Sequence, residues 1–148
     1  MNKLLIIVFL FLASCGYSPI YKSINKNNFI FSEIQLIGDQ VLIKKIISNL
    51  NFKEDKINNS LNKVKLEAKK NTFITSKNSR GEVLTYRTFI ELKLTVSNNN
   101  QLVGNKTFLK EFNYSNKENK FELKQYQAEI ENNLILEIIE EINIYLNL

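Results

Sequence analysis

The chain has 148 residues and a formal charge of +5, from 20 Lys and Arg against 15 Asp and Glu. That length suits one domain, and a composition of 44% hydrophobic and 24% charged residues sustains a folded core rather than wholesale disorder. With no His and a single Cys, the sequence excludes a His/Cys zinc site, an internal disulfide, and Ser-His-Asp or Cys-His catalysis.

Met1-Asn2-Lys3 is a short positive start, followed by the uninterrupted apolar run Leu4 to Leu12. A helix crossing about 30 Å of hydrocarbon takes roughly 20 residues, so this run is too short to span and fits the apolar region of a secretory signal. It ends in Leu12-Ala13-Ser14-Cys15, which resembles a bacterial lipoprotein lipobox. The resemblance implies cleavage before Cys15, a diacylglycerol on its thiol and an acylated amine. A plain signal peptide with an incidental cysteine is the alternative. A lone cysteine in an exported chain would otherwise be an unpaired thiol, and several acyl chains together hold a protein stably at a bilayer. Gly16 rather than Asp at the next position implies, by the same resemblance, transfer to the outer membrane, on its periplasmic side. Residues 1–14 are therefore expected to be a signal peptide and 15–27 a lipidated tether carrying the sole proline, Pro19. Residues 28–148 are expected to be the folded domain.

Asn28 to Ile37 reads as one strand, with Ile30, Ser32, Ile34 and Leu36 on one face and Phe29 and Phe31 on the other. Gly38-Asp39 breaks it, and Asp39 suits a helix N-cap. Over Val41 to Leu50 the period changes: Leu42, Ile43, Ile46, Ile47 and Leu50 form the stripe of a short amphipathic helix. Lys53 to Asn62 is polar and loop-like. Lys63 to Lys69 alternates as a half-buried strand that can extend through Phe73 and Ile74, and Ser76 to Gly81 is a turn. The strongest period-two signal follows, with Leu84, Tyr86, Thr88, Ile90, Leu92, Leu94 and Val96 all at even positions. Asn98-Asn99-Asn100 turns the chain into a further strand with Leu102, Phe108, Phe112 and Tyr114 on one face. Lys106 and Lys110 fall on that same face, a conflict that a bulge would relieve. From Lys120 to Leu148 there is neither Gly nor Pro, and Leu123, Tyr126, Ile130, Leu134, Ile138, Ile142 and Tyr145 mark a long amphipathic helix. The order β-α-β-β-β-α predicts an α+β two-layer sandwich, a four-stranded mixed sheet with both helices packed on one face.

The expected mature start, Cys15-Gly16-Tyr17-Ser18-Pro19-Ile20-Tyr21, resembles that of the LPS-assembly lipoprotein family (LptE) in its alphaproteobacterial form. The order of elements matches that family's sandwich. The resemblance implies a non-catalytic outer-membrane lipoprotein with three partners: an LptD-like β-barrel whose lumen it plugs and whose assembly it assists, lipopolysaccharide, and the membrane through its lipid anchor. No cofactor and no metal are implied. Lipopolysaccharide is phosphorylated and acidic, so basic side chains are the candidates for contact. The chain has only two arginines, Arg80 in the turn with Lys77, and Arg87 on the polar face of the long strand with Lys93. No family motif carries onto Lys77, Arg80 or Arg87; they are chosen on charge alone, and a solvated surface is the competing reading. The aromatic stripe of Phe108, Phe112 and Tyr114 reads as core.

Among rival classes, an enzyme lacks any GxSxG or P-loop pattern, the four glycines being scattered at 16, 38, 81 and 104. Nucleic-acid binding fits poorly with a modest, dispersed charge, an acidic C-terminal helix and export. A pilotin, or an accessory lipoprotein subunit of another outer-membrane barrel or secretion complex, stays open as an alternative.

Overall fold

The computed structural model describes residues 29–58, 61–99 and 101–147. The expected signal peptide, the tether and Cys15 lie outside the described residues. The elements run β1 (Ile30–Phe31), β2 (Glu33–Gly38), α1 (Gln40–Leu50), β3 (Lys53–Glu54), β4 (Lys63–Lys77), β5 (Val83–Asn98), β6 (Gln101–Ser115) and α2 (Lys120–Leu146). The main sheet has the order β2-β4-β5-β6, with β2 parallel to β4 and the other two pairs antiparallel. Both helices cover one face of it, α1 over β2 and β4 and α2 over β5 and β6, and they touch each other. This is the expected α+β sandwich, with a small parallel pair, β1 with β3, added beside it.

The core follows from the register. Val64, Leu66 and Ala68 of β4 face Val96, Leu94 and Leu92 of β5, and Leu92 in turn faces Phe108 of β6. These even-numbered side chains are all buried, against Leu42, Ile43, Ile46 and Leu50 of α1 and Ile130, Leu134, Ile135, Ile138, Ile139 and Ile142 of α2. Asp39 caps α1 as its spacing predicts, its carboxylate accepting from the Leu42 N–H at 3.0 Å. Asn119 does the same for α2, accepting from the Phe121 N–H at 2.8 Å. At 27 residues α2 is about 40 Å long and runs back along the sheet. Its first half is pinned by a chain of hydroxyls that runs from the exposed Thr72 into the core. Thr72 Oγ1 lies 2.7 Å from Thr88 Oγ1, which lies 3.1 Å from the Tyr114 hydroxyl, and Gln127 Nε2 donates to that hydroxyl at 3.0 Å. Thr88 is an even-numbered polar residue inside the core, and this chain satisfies it.

Three expectations are corrected. The strand expected over Asn28 to Ile37 is two pieces hinged at Ser32. The Ser32 N–H donates to the Asn62 carbonyl at 2.9 Å and its hydroxyl to the Leu61 carbonyl at 3.0 Å, which swings the chain from pairing with β3 to pairing with β4. The face of Phe29 and Phe31 is the covered one at the strand start: Phe31 is buried against Phe52, ring centroids 5.0 Å apart, while Ile30 is half exposed and Ile34 and Leu36 pack against the core. The segment read as loop, Lys53 to Asn62, begins with β3. Phe112, expected in the core, is 46% exposed, and Leu102, placed on the same face, is 65% exposed; both stand on the edge strand β6, where the α2 contacts go to Phe108 and Tyr114, which Tyr145 and Tyr126 cover.

The clash between Lys106, Lys110 and the face of Phe108 is settled without a bulge among them. The register is regular from Gly104 to Ser115, and the one irregularity lies earlier, at Val96/Ser97. β6 is an edge strand, so long lysine stems can lie along the sheet while their ammonium groups reach out at its rim. Lys110 pairs with Glu141 at 2.6 Å and Glu137 at 3.5 Å on α2. The Glu141 hydrogen bond raises the Lys110 ammonium above its ordinary value against the opposing effect of burial. Lys106 lies 5.0 Å from the Phe108 ring and 5.2 Å from that of Tyr145, both within cation–π range.

Candidate functional site

β4, β5 and β6 are each 15 or 16 residues long, whereas β2 stops after six. The far halves of the long strands therefore run on beyond their neighbour, and the hairpin joining β4 to β5 ends this projection. Lys77 closes β4 opposite Val83, just past an irregularity between Ile74 and Lys77. Asn78 organises the turn: its Oδ1 accepts from the Arg80 N–H at 2.9 Å and the Glu82 N–H at 3.0 Å, and its Nδ2 donates to Glu82 Oε2 at 2.6 Å. Gly81 takes φ +83°, which lets the chain return. The turn is built from backbone and from the Asn78 and Glu82 side chains. Among the described residues the Lys77 ammonium and the Arg80 guanidinium have no acidic partner, and both residues are exposed.

Arg87 differs from both. Its Nε donates to Asn113 Oδ1 at 2.8 Å and its Nη1 lies 3.8 Å from Glu111 on β6. Lys77 and Arg87 share the sheet face away from the helices, but Arg87 lies four residues, about 13 Å, further along β5 than the residue Lys77 opposes. The three cations expected from the sequence thus divide into a free pair at the hairpin and a committed arginine on the open face. Lys93 lies further still, opposite Glu67 and Thr107 in the ladder.

The sequence reading missed the apolar surface beside the free pair. Phe73 and Ile74 on β4 are 52% and 50% exposed, and Leu84, Phe112 and Phe121 are exposed at the same end. Phe73 stacks on Phe89 with centroids 5.6 Å apart. The end of the sheet is consequently amphipathic, two unpaired cations next to bare aromatic and aliphatic groups. The available signal was the alternation of Phe73 and Phe89 with polar residues, which identified the open face of each strand without showing that nothing covers it.

At the opposite end a cleft is lined by Ser32, Glu33, Ile34, Glu54, Lys56, Lys63 and Asn99. Its charges are already matched. Lys63 pairs with Glu33 at 2.9 Å and Lys56 with Glu54 at 3.5 Å, and Glu54 accepts from the Ile34 N–H at 3.2 Å. The Gln35 amide and then Lys63 hold the Glu33 carboxyl below its ordinary value, which is structural pairing and not a vacant charge. Among the described residues no group of three or more His, Cys, Asp or Glu is placed to hold a metal, and no helix is long and apolar enough to cross a membrane.

The chain matches no protein-family model and no curated protein by sequence. Its fold is nevertheless shared by solved structures. A rare lipoprotein B from Shewanella oneidensis superposes with a TM-score of 0.51 at 11% identity, over 78% of this chain and 99% of that one. A minor lipoprotein from Acinetobacter baumannii gives 0.57 at 8% identity, over 78% and 87% of the two chains. An uncharacterized lipoprotein B from Nitrosomonas europaea gives 0.56 at 10% identity, over 78% and 81%. At such identities the likeness establishes the sandwich fold, and it extends over nearly the full length of these lipoproteins.

Proposed function

We propose that this chain is an outer-membrane lipoprotein, anchored through Cys15 on the periplasmic side, that plugs an LptD-like β-barrel, assists its assembly and binds lipopolysaccharide without catalysing a reaction. The observation that carries the reading is a coincidence. A lipobox-like segment ending in the chain's sole cysteine precedes a domain whose fold three lipoproteins share over most of their length.

Physical features favour the role. A plug must be rigid and polar outside, because large outer-membrane barrels have polar lumens. The helix-free face of this sheet is tiled by ion pairs, Lys69 with Glu91 at 3.0 Å and Lys65 with Glu67 at 2.7 Å among them. Lipopolysaccharide joins phosphates to acyl chains. The hairpin end offers the matching pair of chemistries, with Lys77 and Arg80 unpaired next to exposed Phe73, Ile74 and Leu84.

The test is extraction in mild detergent followed by affinity purification through a C-terminal tag. Co-purification of a barrel of LptD size supports the plug, and its absence, or recovery of a different barrel or secretion subunit, refutes it. Depletion of the protein thins outer-leaflet lipopolysaccharide on this reading; an unchanged outer leaflet refutes the lipid role. Cys15→Ser leaves an unprocessed or mislocalised precursor, and normal maturation of that variant refutes the anchor.

A further inference from the structure

β2 pairs with β4 only from Lys63 to Ala68. Gly38, at φ +90°, then turns the chain off the sheet, and the last bond on that side runs from the Asp39 N–H to the Ala68 carbonyl at 2.9 Å. Within a strand, alternate residues aim both backbone groups to the same side. Asn62 and Ala68 aim their carbonyls at the β2 side, accepting from Ser32 and Asp39, so Lys70, Thr72 and Ile74 aim their N–H and C=O groups there too. No strand lies opposite them among the described residues. From Lys69 to Ile74, where the irregularity ends regular pairing, the sheet has a bare edge about 20 Å long.

The other long edge, on β6, is guarded. Lys106 and Lys110 point inward from it over α2, and Glu111 stands on its outer face. Inward charges on an edge strand are a standard defence against strand addition. The β4 edge has one inward charge, Lys70 at its near end, held by Glu131 of α2 at 2.6 Å, and none from Asn71 to Ser76. Asn71 to Ser76 (NTFITS) is uncharged, β-prone and free of Gly and Pro, the composition that most readily accepts a further strand. Its two ends differ: Lys69 and Lys70 are already paired with Glu91 at 3.0 Å and Glu131 at 2.6 Å, whereas Lys77 and Arg80 have no acidic partner among the described residues. A second copy fits badly. Antiparallel self-pairing about Phe73 would set Lys69 against Lys77 twice, and like charges directly opposite destabilise a ladder.

We propose that the bare edge of β4 from Lys69 to Ile74 is a β-augmentation site for an extended segment of a protein partner, strand-forming at its centre and acidic at the flank that meets Lys77 and Arg80. The partner's backbone bonds to Lys70, Thr72 and Ile74 supply affinity, and its acidic flank, meeting that unpaired pair, fixes the register. The site does not depend on which barrel, if any, the protein serves.

The probe is a synthetic peptide with an alternating valine–threonine centre and two glutamates at one end, added to the full chain in detergent. Amide hydrogen exchange is followed residue by residue by NMR. The amides of Lys70, Thr72 and Ile74 slow by about tenfold or more, and those of Val103, Asn105 and Thr107 on the β6 edge are unchanged. Ile74→Pro removes an edge-facing N–H without touching the ladder to β5, and it weakens peptide binding by about tenfold. Thr107→Pro, the matched change on the β6 edge, leaves binding as it was. The proposal is overturned by an absence of protection, by protection on β6, or by equal binding of a lysine-flanked peptide. Protection of the β4 amides in the peptide-free protein as its own concentration rises would assign the edge to a second copy and overturn it equally.

Discussion

Two glycines share a backbone conformation and differ in their surroundings, which separates strain from crowding. Gly38 has φ +90° and Gly81 φ +83°. A side chain at either position meets the left-handed penalty, about 1–2 kcal/mol. A Cβ at Gly81 would meet nothing within 4 Å, whereas one at Gly38 would lie 2.2 Å from the Ala68 carbonyl oxygen. That carbonyl is backbone and cannot rotate away. It also accepts the Asp39 N–H, so relieving the overlap breaks a bond worth about 1 kcal/mol and disturbs the residue that caps α1, a cap itself worth about 1 kcal/mol. Gly81→Ala should therefore cost about 1–2 kcal/mol and Gly38→Ala about 3–4 kcal/mol, read as the difference in unfolding free energy in urea at equal m-value. Equal losses in the two variants would show that β2 can end elsewhere on β4, and the account of why the bare edge begins at Lys69 would go with it.

Other outcomes follow from single contacts. Burial alone would raise the Glu131 carboxyl, but hydrogen bonds from Lys70 at 2.6 Å and Lys45 at 2.9 Å, with their charges, hold it below its ordinary value of 4.5. A carboxyl depressed on folding contributes stability that is complete above the unfolded-state value and is lost as pH falls through the folded-state value. Glu131→Gln should thus cost about 1 kcal/mol near neutrality, at the low end because both lysines are partly exposed, and the gap to the parent should close as acid denaturation is followed below about pH 4. Tyr114→Phe deletes the hydroxyl between Thr88 and Gln127 and leaves a buried threonine with only Thr72; the expected loss is about 1–2 kcal/mol in thermal unfolding, and no loss would mean the chain of hydroxyls is incidental. Ile138→Ala, at a side chain fully enclosed between helix and sheet, should cost about 2–5 kcal/mol in the same assay. Lys77→Glu with Arg80→Glu should leave urea stability within about 0.5 kcal/mol, since neither side chain has a partner, while weakening retention on immobilised lipopolysaccharide. Unchanged retention would remove the hairpin from the lipid site.

What was legible in the sequence follows a physical rule. Elements whose burial is decided by their own periodicity were readable. The even-numbered run from Leu84 to Val96 is a strand, buried on one face from Thr88 to Val96, and the stripe from Leu123 to Tyr145 is a helix over it. The cap of α1 was readable too, because Asp39 acts on an N–H only three residues away. Features set by a distant partner were not. The hinge at Ser32 depends on the carbonyls of Leu61 and Asn62, about thirty residues on, and β3 exists only because Phe29 and Phe31 offer it carbonyls: the Lys53 N–H donates to Phe29 and the Asp55 N–H to Phe31. The lysines of β6 contradicted the alternation rule because that rule assumes a strand with neighbours on both sides. For the candidate site, charge pointed to Lys77, Arg80 and Arg87, but only coordinates show that Asn113 and Glu111 have already claimed Arg87.

The exposed end of the sheet is the price of a length mismatch fixed at Gly38. Six residues of β2 and eleven of α1 cover only the near half of β4, so Ile74, which carries strand-forming propensity suited to a covered position, stands in water. A longer β2 and α1 would shelter Ile74, on the helix side, but leave Phe73 on the face that carries no helix. A longer β2 would also pair with Lys70, Thr72 and Ile74 and abolish the bare edge, at no visible cost to the core below it. A soluble domain that had only to fold would gain from that extension. Its absence, together with an opposite edge defended by Lys106 and Lys110, makes the asymmetry itself informative: one edge carries inward charges along its middle, and the other is uncharged from Asn71 to Ser76 and ends on the unpaired Lys77 and Arg80.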